Sequence, residues 1–401
     1  MFKKGLIIGA GMSAGSLILL FATPWLARAY SPQEFGSLAI FMAVMSVLAS
    51  ASSLRHDAAI LVVQESKVDP TVQLAAIYVL FFSILGGMVF SYFAPEVLGA
   101  NYDSLIENRF LLMLGAVGGG IVLLACALSM RREEYSINAM IRAIQGPAYV
   151  LLALFFATGL VEGWAYGWAL AGVLSLVYLF LNTRPSRIAT IWKQAISLQE
   201  YSLRLTPTFL LDSLALTLPI FFINMSYTAS EVGSYSQVSR LIGGPLLLVS
   251  AVIGQILLEK TGKYYRNNKP SFFIFKVSVY ILLGISGFVF VAIILAGHYL
   301  IDLILGIGWR SDTFFLVMVS IPILCKTIVS PITCVFLTHE QTKYVVKWQT
   351  LYFLVTLTSL SIATLLKLQL EVFLSVYAIS EMVTYALYYY WAQKVVKNIS
   401  N

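Results

Sequence analysis

The sequence has too few charged residues for a soluble protein. Only 11% of its 401 residues are charged and 59% are hydrophobic, whereas soluble globular domains carry about 25% charged residues. Because the bilayer core offers the backbone no water, spanning segments must be helices or a closed barrel. The apolar runs here continue for about 20 residues without the alternation of barrel strands. The sequence therefore predicts an all-α polytopic membrane protein.

Residues and motifs of metal binding and catalysis are also scarce. The three cysteines are odd in number and lie in apolar stretches, so they indicate packing rather than a disulfide framework. His56, His298 and His339 lie in separate segments without the spacing of a metal site. No Walker loop or nucleophile elbow is present. We therefore expect no metal, no cofactor and no enzymatic activity.

Windows of about 19 residues predict twelve spans in two sets of six. The first set lies near residues 6–27, 36–63, 72–94, 109–130, 140–160 and 163–182. The second set lies near residues 205–226, 234–258, 272–297, 313–337, 344–366 and 370–393. This division predicts an amino-terminal six-helix bundle, residues 1–182, and a carboxy-terminal six-helix bundle, residues 205–401.

The segment between the sets, residues 183–204, is the longest break in hydrophobicity. Ile188, Ile191, Trp192 and Ile196 recur there at helical spacing among basic and polar residues. This pattern indicates an amphipathic linker helix on the cytoplasmic face. A plain solvated linker is the alternative.

An internal repeat supports the six-plus-six division. Residues 16–38 align without a gap on residues 213–235, and seven positions are identical. The match runs through one span, its short loop and the start of the next span. A duplicated six-span unit gives both halves the same orientation, as a parallel repeat around an axis along the membrane normal. Because the first span has this counterpart in mid-chain, we interpret it as structural rather than as a cleaved signal peptide.

The basic residues predict the orientation. If both termini are cytoplasmic, nineteen of the 26 Lys and Arg residues fall on the cytoplasmic side. Five fall on the opposite side and two, Arg55 and Lys326, lie within spans. This bias follows the positive-inside rule. It also accounts for the net charge of +7 without a nucleic-acid partner.

Two spans carry charges where few are expected. Arg55, His56 and Asp57 interrupt an apolar segment, and Lys326 lies near the middle of its span between Pro322 and Pro331. A charge at mid-depth costs about 2.5 to 3.5 kcal/mol, so it is retained where it faces protein, water or a bound ion. The alternatives are mutual neutralisation of Arg55 and Asp57, snorkelling of Arg55 to the surface, and an ion pair of Lys326 with Asp212 or Glu381.

Further charges lie in spans or near their ends. They are Arg28, Arg142, Asp212, Arg240 and Glu381. For the three arginines, snorkelling competes with a role in a cavity. Taken together, the five cations (Arg28, Arg55, Arg142, Arg240 and Lys326) predict a net positive cavity suited to a phosphate or pyrophosphate group. The three carboxylates Asp57, Asp212 and Glu381 are the candidates for ion coupling.

Two motifs carry a resemblance to a known family. Residues 27–36 (ARAYSPQEFG) are followed by residues 53–60 (SLRHDAAI), and residues 232–235 (VGSY) lead through 240–245 (RLIGGP) to 253–255 (IGQ). This arrangement resembles the Wzx-type polysaccharide flippases, in the superfamily that also contains MATE drug exporters and lipid II flippases. The family signature has Tyr-Glu where this chain has His56-Asp57.

The resemblance implies twelve helices in two bundles around a cavity of alternating access. It implies a bacterial inner-membrane flippase for oligosaccharides linked to undecaprenyl pyrophosphate, coupled to a proton or sodium. Its further partners would be membrane lipid, a polysaccharide polymerase and chain-length proteins. Cationic cavity residues of relatives carry over by position to Arg28, Arg55 and Arg240. A cation-exporting MATE-like transporter and an integral-membrane glycosyltransferase or polymerase are the alternatives.

Overall fold

The computed structural model describes residues 2–98, 103–156, 158–266, 271–338 and 341–400. Within these ranges the ordered elements are helices, and no strand occurs. The predicted all-α class is therefore confirmed. His339 lies outside the described residues. The helices form two compact units, Met1–Gly233 and Ser234–Asn401, which are treated separately below.

The first unit contains nine α-helices and the start of a tenth among its described residues. They are α1 (Phe2–Ala29), α2 (Pro32–Ser52), α3 (His56–Val62), α4 (Val68–Leu98), α5 (Asp103–Glu107), α6 (Arg109–Arg131), α7 (Tyr135–Phe155), α8 (Leu160–Asn182), α9 (Ile188–Ser226) and the first residues of α10 (Ala229–Arg266). In the second unit, α10 is followed by α11 (Phe272–Leu305), α12 (Thr313–Val329), α13 (Thr333–Thr338), α14 (Thr342–Leu365) and α15 (Leu370–Ser400).

The predicted membrane spans correspond to these helices. Eleven helices in the described part of the chain are long and apolar enough to cross a membrane. The remaining predicted span falls on α1, in which Leu17–Ala29 is an apolar helical segment among the described residues. The protein is thus a multi-pass membrane protein.

One predicted span is wrong in its extent. Residues 36–63 were expected to form one span, but α2 ends at Ser52 and α3 begins at His56. Between them, Leu54 and Arg55 adopt left-handed backbone angles, with φ of 46° and 63°. Such angles cost roughly 1–3 kcal/mol per non-glycine residue, so the surrounding structure must enforce them. The polar residues of this stretch therefore mark a break in the helix as well as a cluster of charge.

The core of the first unit holds α3 in place. Ile60 of α3 is fully buried in a cluster with Val72 of α4 and Leu124 of α6. Arg131 donates a hydrogen bond from Nη1 to the Ile60 carbonyl, with 2.6 Å between the two atoms. This guanidinium satisfies a carbonyl that the short helix leaves without an internal partner. Packing and the Arg131 contact together fix the turn that carries Arg55.

The segment predicted as an interfacial linker is mostly helical. Residues 183–187 are non-helical, and from Ile188 the chain runs as one helix through Ser226. Ile188, Trp192 and Ile196 are exposed, and buried Gln194 donates a hydrogen bond to Thr71 of α4. The amphipathic half is therefore continuous with the following span. Its location at the cytoplasmic face and the bundle boundaries at residues 182 and 205 remain predictions.

Small residues allow the helices of the first unit to approach closely. A Cβ on Gly118 of α6 would lie 2.4 Å from the carbonyl oxygen of Trp168 in α8. On the other side of the contact, a Cβ on Gly172 would lie 2.6 Å from the Gly118 Cα. Backbone approach of this kind is the usual basis of helix association in lipid, where no hydrophobic force acts between helices.

The two repeat-related loops have the same local geometry. Ser31 accepts from the Glu34 backbone N–H at 3.4 Å, while Glu34 Oε2 accepts from the Ser31 backbone at 2.8 Å. Thr228 and Glu231 make the same pair of bonds at 3.4 and 2.9 Å. Each pair is a reciprocal capping box at a helix start. The repeat seen in the sequence is thus present in the structure of these loops.

Candidate functional site

Arg55 and Asp57 form an ion pair at the break between α2 and α3. Arg55 Nη1 lies 3.4 Å from Asp57 Oδ2, and the two side chains are 23% and 18% exposed. Ser53 donates from Oγ to Asp57 Oδ1 at 2.8 Å. The mutual neutralisation considered from the sequence is therefore present. The carboxylate has two partners and the guanidinium retains donors for a further anion.

Helix α9 forms one wall of this site. The Arg55 guanidinium lies over the ring of Phe209, 4.1 Å from its centroid. Tyr201, two turns earlier on the same helix, interacts electrostatically with both Arg55 and Asp57. A guanidinium that stacks on an aromatic ring is held in a fixed orientation. The N–H groups at its edge remain able to donate hydrogen bonds. The arrangement thus orients Arg55 and leaves it suited to bidentate binding of an oxyanion.

His56 faces the protein interior rather than the ion pair. It is 2% exposed, its Nδ1 lies 2.9 Å from the Ser53 carbonyl oxygen, and its ring packs edge-on against Tyr78 of α4 at 5.1 Å between centroids. Ser202 of α9 lies 3.5 Å from the ring nitrogens. His56 therefore serves as a packed link between α3, α4 and α9.

A second charged cluster lies in the second unit around Glu381 of α15. This carboxylate is 1% exposed. It accepts hydrogen bonds from Thr356 Oγ1 of α14, at 3.2 Å, and from the hydroxyl of Tyr352. Burial of a charge is costly unless donors or a counter-ion compensate it. These hydroxyls supply part of that compensation.

Lys326 supplies the opposite charge. It lies on α12, which packs on α15, and it interacts electrostatically with Glu381. The sequence suggested Asp212 or Glu381 as the partner of Lys326. The structure brings Glu381 close enough to Lys326 for an electrostatic interaction. Nearby, Ser250 of α10 donates from Oγ to the Thr327 carbonyl at 3.1 Å, which ties α10 to the same turn of α12.

Tyrosines surround the buried carboxylate. Tyr235 of α10 and Tyr377 of α15 interact electrostatically with Glu381, and Tyr352 interacts with both Glu381 and Tyr385. Sequence reasoning did not select them. A signal was present on α15, because Tyr377, Glu381 and Tyr385 are four residues apart and therefore share a helix face.

The remaining predicted site residues lie on other turns. Arg28 is exposed in the last turn of α1, and Arg142 of α7 is half-buried and donates from Nε to Asn138 Oδ1 at 3.1 Å. Asp212 of α9 is half-buried, one turn after Phe209, and Arg240 of α10 is half-buried in the second unit. Their roles in substrate binding or ion coupling remain predictions.

A third ionic group was not predicted. Arg310, between α11 and α12, donates from Nε to Asp312 Oδ2 at 2.8 Å and also pairs with Glu371 in the first turn of α15. Desolvation alone would lower the pKa of Arg310, but the two carboxylates raise it above its ordinary value. Its partners come from two helix starts, so this group serves to connect α12 to α15.

In the described part of the chain, no group of three or more His, Cys, Asp or Glu residues could hold a metal ion. The site features are therefore a surface-accessible ion pair in the first unit and a buried carboxylate with a lysine in the second. Both consist of charges placed within apolar segments of the chain. Charges so placed mark candidate functional sites in membrane proteins.

Solved structures place the fold among membrane transporters. The lipid II flippase MurJ in an inward closed conformation superposes with a TM-score of 0.76, at 13% identity, over 98% of this chain and 90% of that chain. An inward-facing multidrug resistance MATE family transporter of the MOP superfamily superposes with a TM-score of 0.65, at 14% identity, over 99% of this chain and 95% of that chain. At these identities the likeness shows the fold.

The family is shown by the sequence. Residues 25–314 match the family described as polysaccharide biosynthesis protein, and the chain belongs to this family. It is also 25% identical over 248 residues to the succinoglycan biosynthesis transport protein ExoT of Rhizobium meliloti (strain 1021), covering 60% of this chain and 50% of that protein. The chain thus matches about half the length of that relative. The predicted resemblance to a family of polysaccharide biosynthesis is confirmed.

Proposed function

We propose that this protein is a flippase that moves oligosaccharide units linked to undecaprenyl pyrophosphate from the cytoplasmic to the outer leaflet of a bacterial inner membrane. The observation that carries the proposal is the aromatic-backed Arg55–Asp57 pair in a chain of the polysaccharide biosynthesis protein family. A sugar headgroup cannot cross hydrocarbon unaided, because each unsatisfied polar group costs several kcal/mol there. No covalent chemistry is needed.

When the headgroup binds, its pyrophosphate replaces the Asp57 carboxylate as the anion paired with Arg55. Asp57 neutralises the guanidinium at 3.4 Å, a long contact for a charge-assisted hydrogen bond. A pyrophosphate provides several oxygens with the geometry that a guanidinium binds bidentately. The pyrophosphate therefore displaces Asp57, which keeps its hydrogen bond from Ser53. Between transport cycles, Asp57 serves as the counter-ion of Arg55, so the partly buried guanidinium is never left without a negative partner.

The other cations extend the same role. Arg28, Arg142, Arg240 and Lys326 are proposed to contribute to binding of the headgroup. Each lies on a different helix, α1, α7, α10 and α12 respectively. A distributed set of weak sites suits a carrier, since binding must be favourable enough for entry and weak enough for release.

Ion coupling is proposed at the carboxylates, with Glu381 as the principal group and Asp57 and Asp212 as further candidates. Glu381 is the most deeply buried of the three, and it lies among hydroxyls and opposite Lys326. Occupation of this carboxylate by a proton or sodium changes its attraction for Lys326. Such a change biases the packing of α12 on α15 and thereby the direction in which the carrier opens.

The surroundings of the protein follow from the same proposal. Both termini lie in the cytoplasm, and a polysaccharide polymerase with its chain-length proteins receives the unit on the outer side. The protein is a carrier and not an enzyme.

A MATE-like exporter of cationic compounds is the second candidate function, and the fold shared with a multidrug transporter favours it. The excess of cations at the predicted sites disfavours it, because cationic drugs require acidic cavities.

Depletion of the protein in its host tests the substrate. We expect a lipid-linked oligosaccharide to accumulate, and its mass to identify the repeat unit. Complementation with wild-type protein should remove the accumulation, whereas Arg55→Gln should not. Unchanged lipid-linked sugars, together with increased retention of cationic dyes, would support export of cationic compounds instead.

A further inference from the structure

Two residues of the turn between α2 and α3 hold a strained backbone conformation. Leu54 and Arg55 both have positive φ, at 46° and 63°, in the left-handed region that residues with a side chain rarely occupy. Neither residue is glycine, so contacts elsewhere in the structure must hold them there. The backbone angles of Arg55 also set the direction in which its side chain leaves the chain. The contacts that hold this turn therefore place the guanidinium.

His56 closes the turn on the Ser53 carbonyl. Its backbone N–H donates to the Ser53 oxygen at 3.0 Å, and its ring Nδ1 lies 2.9 Å from the same oxygen. Because a carbonyl oxygen only accepts hydrogen bonds, Nδ1 must carry a proton and donate it to this contact. Leu54 and Arg55 lie between the two residues that these bonds join. The ring thus adds a second hydrogen bond across the strained stretch.

The Ser53 side chain belongs to the same site. Ser53 donates from Oγ to Asp57 Oδ1 at 2.8 Å, and Asp57 pairs with Arg55. Ser53 therefore offers its carbonyl to His56 and its hydroxyl to the counter-ion of Arg55. A shift of the Ser53 peptide would move both members of the ion pair.

Two helices hold the His56 ring on its other sides. The ring packs edge-on against Tyr78 of α4, with 5.1 Å between centroids, and Ser202 Oγ of α9 lies 3.5 Å from each ring nitrogen. The residue is 2% exposed. Helix α9 also carries Phe209, whose ring stacks on the Arg55 guanidinium. The His56 ring therefore joins the turn to the helix that forms the wall of the site.

We propose that His56 is a positioning residue of the substrate site, and that its Nδ1–H keeps Arg55 in the conformation that binds pyrophosphate. This inference rests on the proposed function, because it assigns the residue that orients the anion-binding guanidinium. His56 acts through Ser53 and does not touch the substrate. Without the bond, Leu54 and Arg55 relax towards negative φ and the guanidinium leaves Phe209. Binding of substrate is then weakened, while later steps of transport are unchanged.

Two substitutions of His56 separate the hydrogen bond from the packing. His56→Asn keeps an N–H donor at the δ position but fills less space, whereas His56→Phe keeps a ring against Tyr78 and removes the donor. The readouts are the dissociation constant for radiolabelled undecaprenyl pyrophosphate in nanodiscs and the midpoint of thermal unfolding. We expect His56→Phe to raise the dissociation constant at least fivefold and His56→Asn to raise it no more than twofold. The unfolding midpoint should follow the opposite order, with His56→Asn the less stable variant.

Tyr78→Leu is the matched control, because it removes the ring contact with His56 and leaves the bond to Ser53 in place. It should lower the unfolding midpoint without changing the dissociation constant. Dissociation constants that follow the loss of stability across all three variants would show that His56 only fills space, and they would overturn the proposal.

Nitrogen NMR of the imidazole provides a test that needs no substitution at position 56. The chain has three histidines, so His298→Gln and His339→Gln leave a single labelled ring. Its signal should show the proton on Nδ1. A proton on Nε2 alone would overturn the proposal, even if His56→Phe fails to fold.

A flipping assay separates this inference from the proposed function. With an undecaprenyl-pyrophosphate oligosaccharide as substrate, His56→Phe should raise KM at least fivefold and change kcat less than twofold. Flipping by His56→Phe with the wild-type KM would refute the positioning role alone. Binding that depends on the Nδ1–H donor, in a protein whose wild type does not flip the lipid, would retain the positioning role and refute the flippase.

Discussion

Gly36 of α2 and Gly233 of α10 are in direct backbone contact. A Cβ on Gly233 would lie 2.9 Å from the Gly36 nitrogen and 1.9 Å from the Pro32 carbonyl oxygen. A Cβ on Gly36 would lie 2.0 Å from the Ala229 carbonyl oxygen. The two glycines occupy equivalent positions in the sequence repeat, each just after a capping box. The starts of the two repeat-related helices therefore meet through a reciprocal contact that only glycine permits.

Alanine at either glycine should therefore destabilise the protein. The obstructing atoms are backbone atoms, so the helices must separate, and we expect Gly36→Ala and Gly233→Ala each to cost about 1–3 kcal/mol. A lower midpoint of thermal unfolding in detergent would measure the loss. Gly284→Ala and Gly287→Ala on α11 are matched controls, because a Cβ there meets no atom within 4 Å; these should be neutral or slightly stabilising. Equal midpoints for all four variants would refute the contact.

Neutralising both Arg55 and Asp57 should restore the stability that either single substitution lowers, but it should not restore transport. Removal of one charge leaves the other partly buried without its partner, which destabilises folded proteins. We expect Arg55→Gln and Asp57→Asn each to lower the membrane level, and the double variant to restore it. Flipping should remain at least tenfold reduced in both variants that lack Arg55, because the pyrophosphate has lost a charged hydrogen bond of about 1.5–3 kcal/mol.

Arg55→Lys refines the assignment of this cation. It should keep part of the activity if charge alone suffices and little of it if the bidentate geometry is required. Full flipping in the Arg55→Gln/Asp57→Asn double variant would show that the pair is structural only.

Lys326 and Glu381 provide a parallel test in the second unit. Glu381→Gln keeps the hydrogen-bonding shape among Tyr352 and Thr356 but removes the charge that attracts Lys326. We expect flipping to lose its response to a proton or sodium gradient, while the membrane level changes little. Lys326→Met should reduce flipping as well. A fully active Lys326→Met variant would show that the lysine is only a partner of Glu381, and an unaltered gradient response of Glu381→Gln would refute coupling there.

The predicted orientation is open to cysteine labelling. Gln33→Cys and Ser230→Cys, in a background without Cys126, Cys325 and Cys334, should react with an impermeant thiol reagent from outside intact cells. Gln33 is exposed in the structure. Ser66→Cys, exposed in the turn before α4, is the control for the cytoplasmic face and should react only after lysis. The reverse pattern would invert the topology.

Much of the fold could be predicted because hydropathy and the repeat are properties of continuous sequence. The break at Leu54 and Arg55 could not, since the turn depends on Ile60 and Arg131 from the tertiary structure. The charges themselves were selected from the sequence because charge is rare in apolar segments, and their role in a site remains a prediction. Asp57 was named from the sequence as a partner of Arg55, but the aromatic contact was missed: Phe209 is 154 positions from Arg55, and no local pattern joins them.

The same limit applies to Lys326. The sequence suggested two carboxylates as partners of Lys326. The choice of Glu381 depends on the packing of α12 on α15, which brings it close to Lys326. Tyr352 and Thr356 come from α14 and reach Glu381 through the packing of α14 on α15. Charge in a span can thus be identified from sequence, whereas the set of neutral donors that stabilises it requires the fold.

The most direct test of the flippase proposal is reconstitution of the purified protein in sealed vesicles that contain a labelled undecaprenyl-pyrophosphate oligosaccharide in the inner leaflet. Exposure of the sugar is measured with an external sugar-modifying enzyme. The account predicts that wild-type protein accelerates exposure at least tenfold over empty vesicles and that Arg55→Gln/Asp57→Asn does not. No acceleration by the wild type, with or without a proton or sodium gradient and across several glycans, would contradict it.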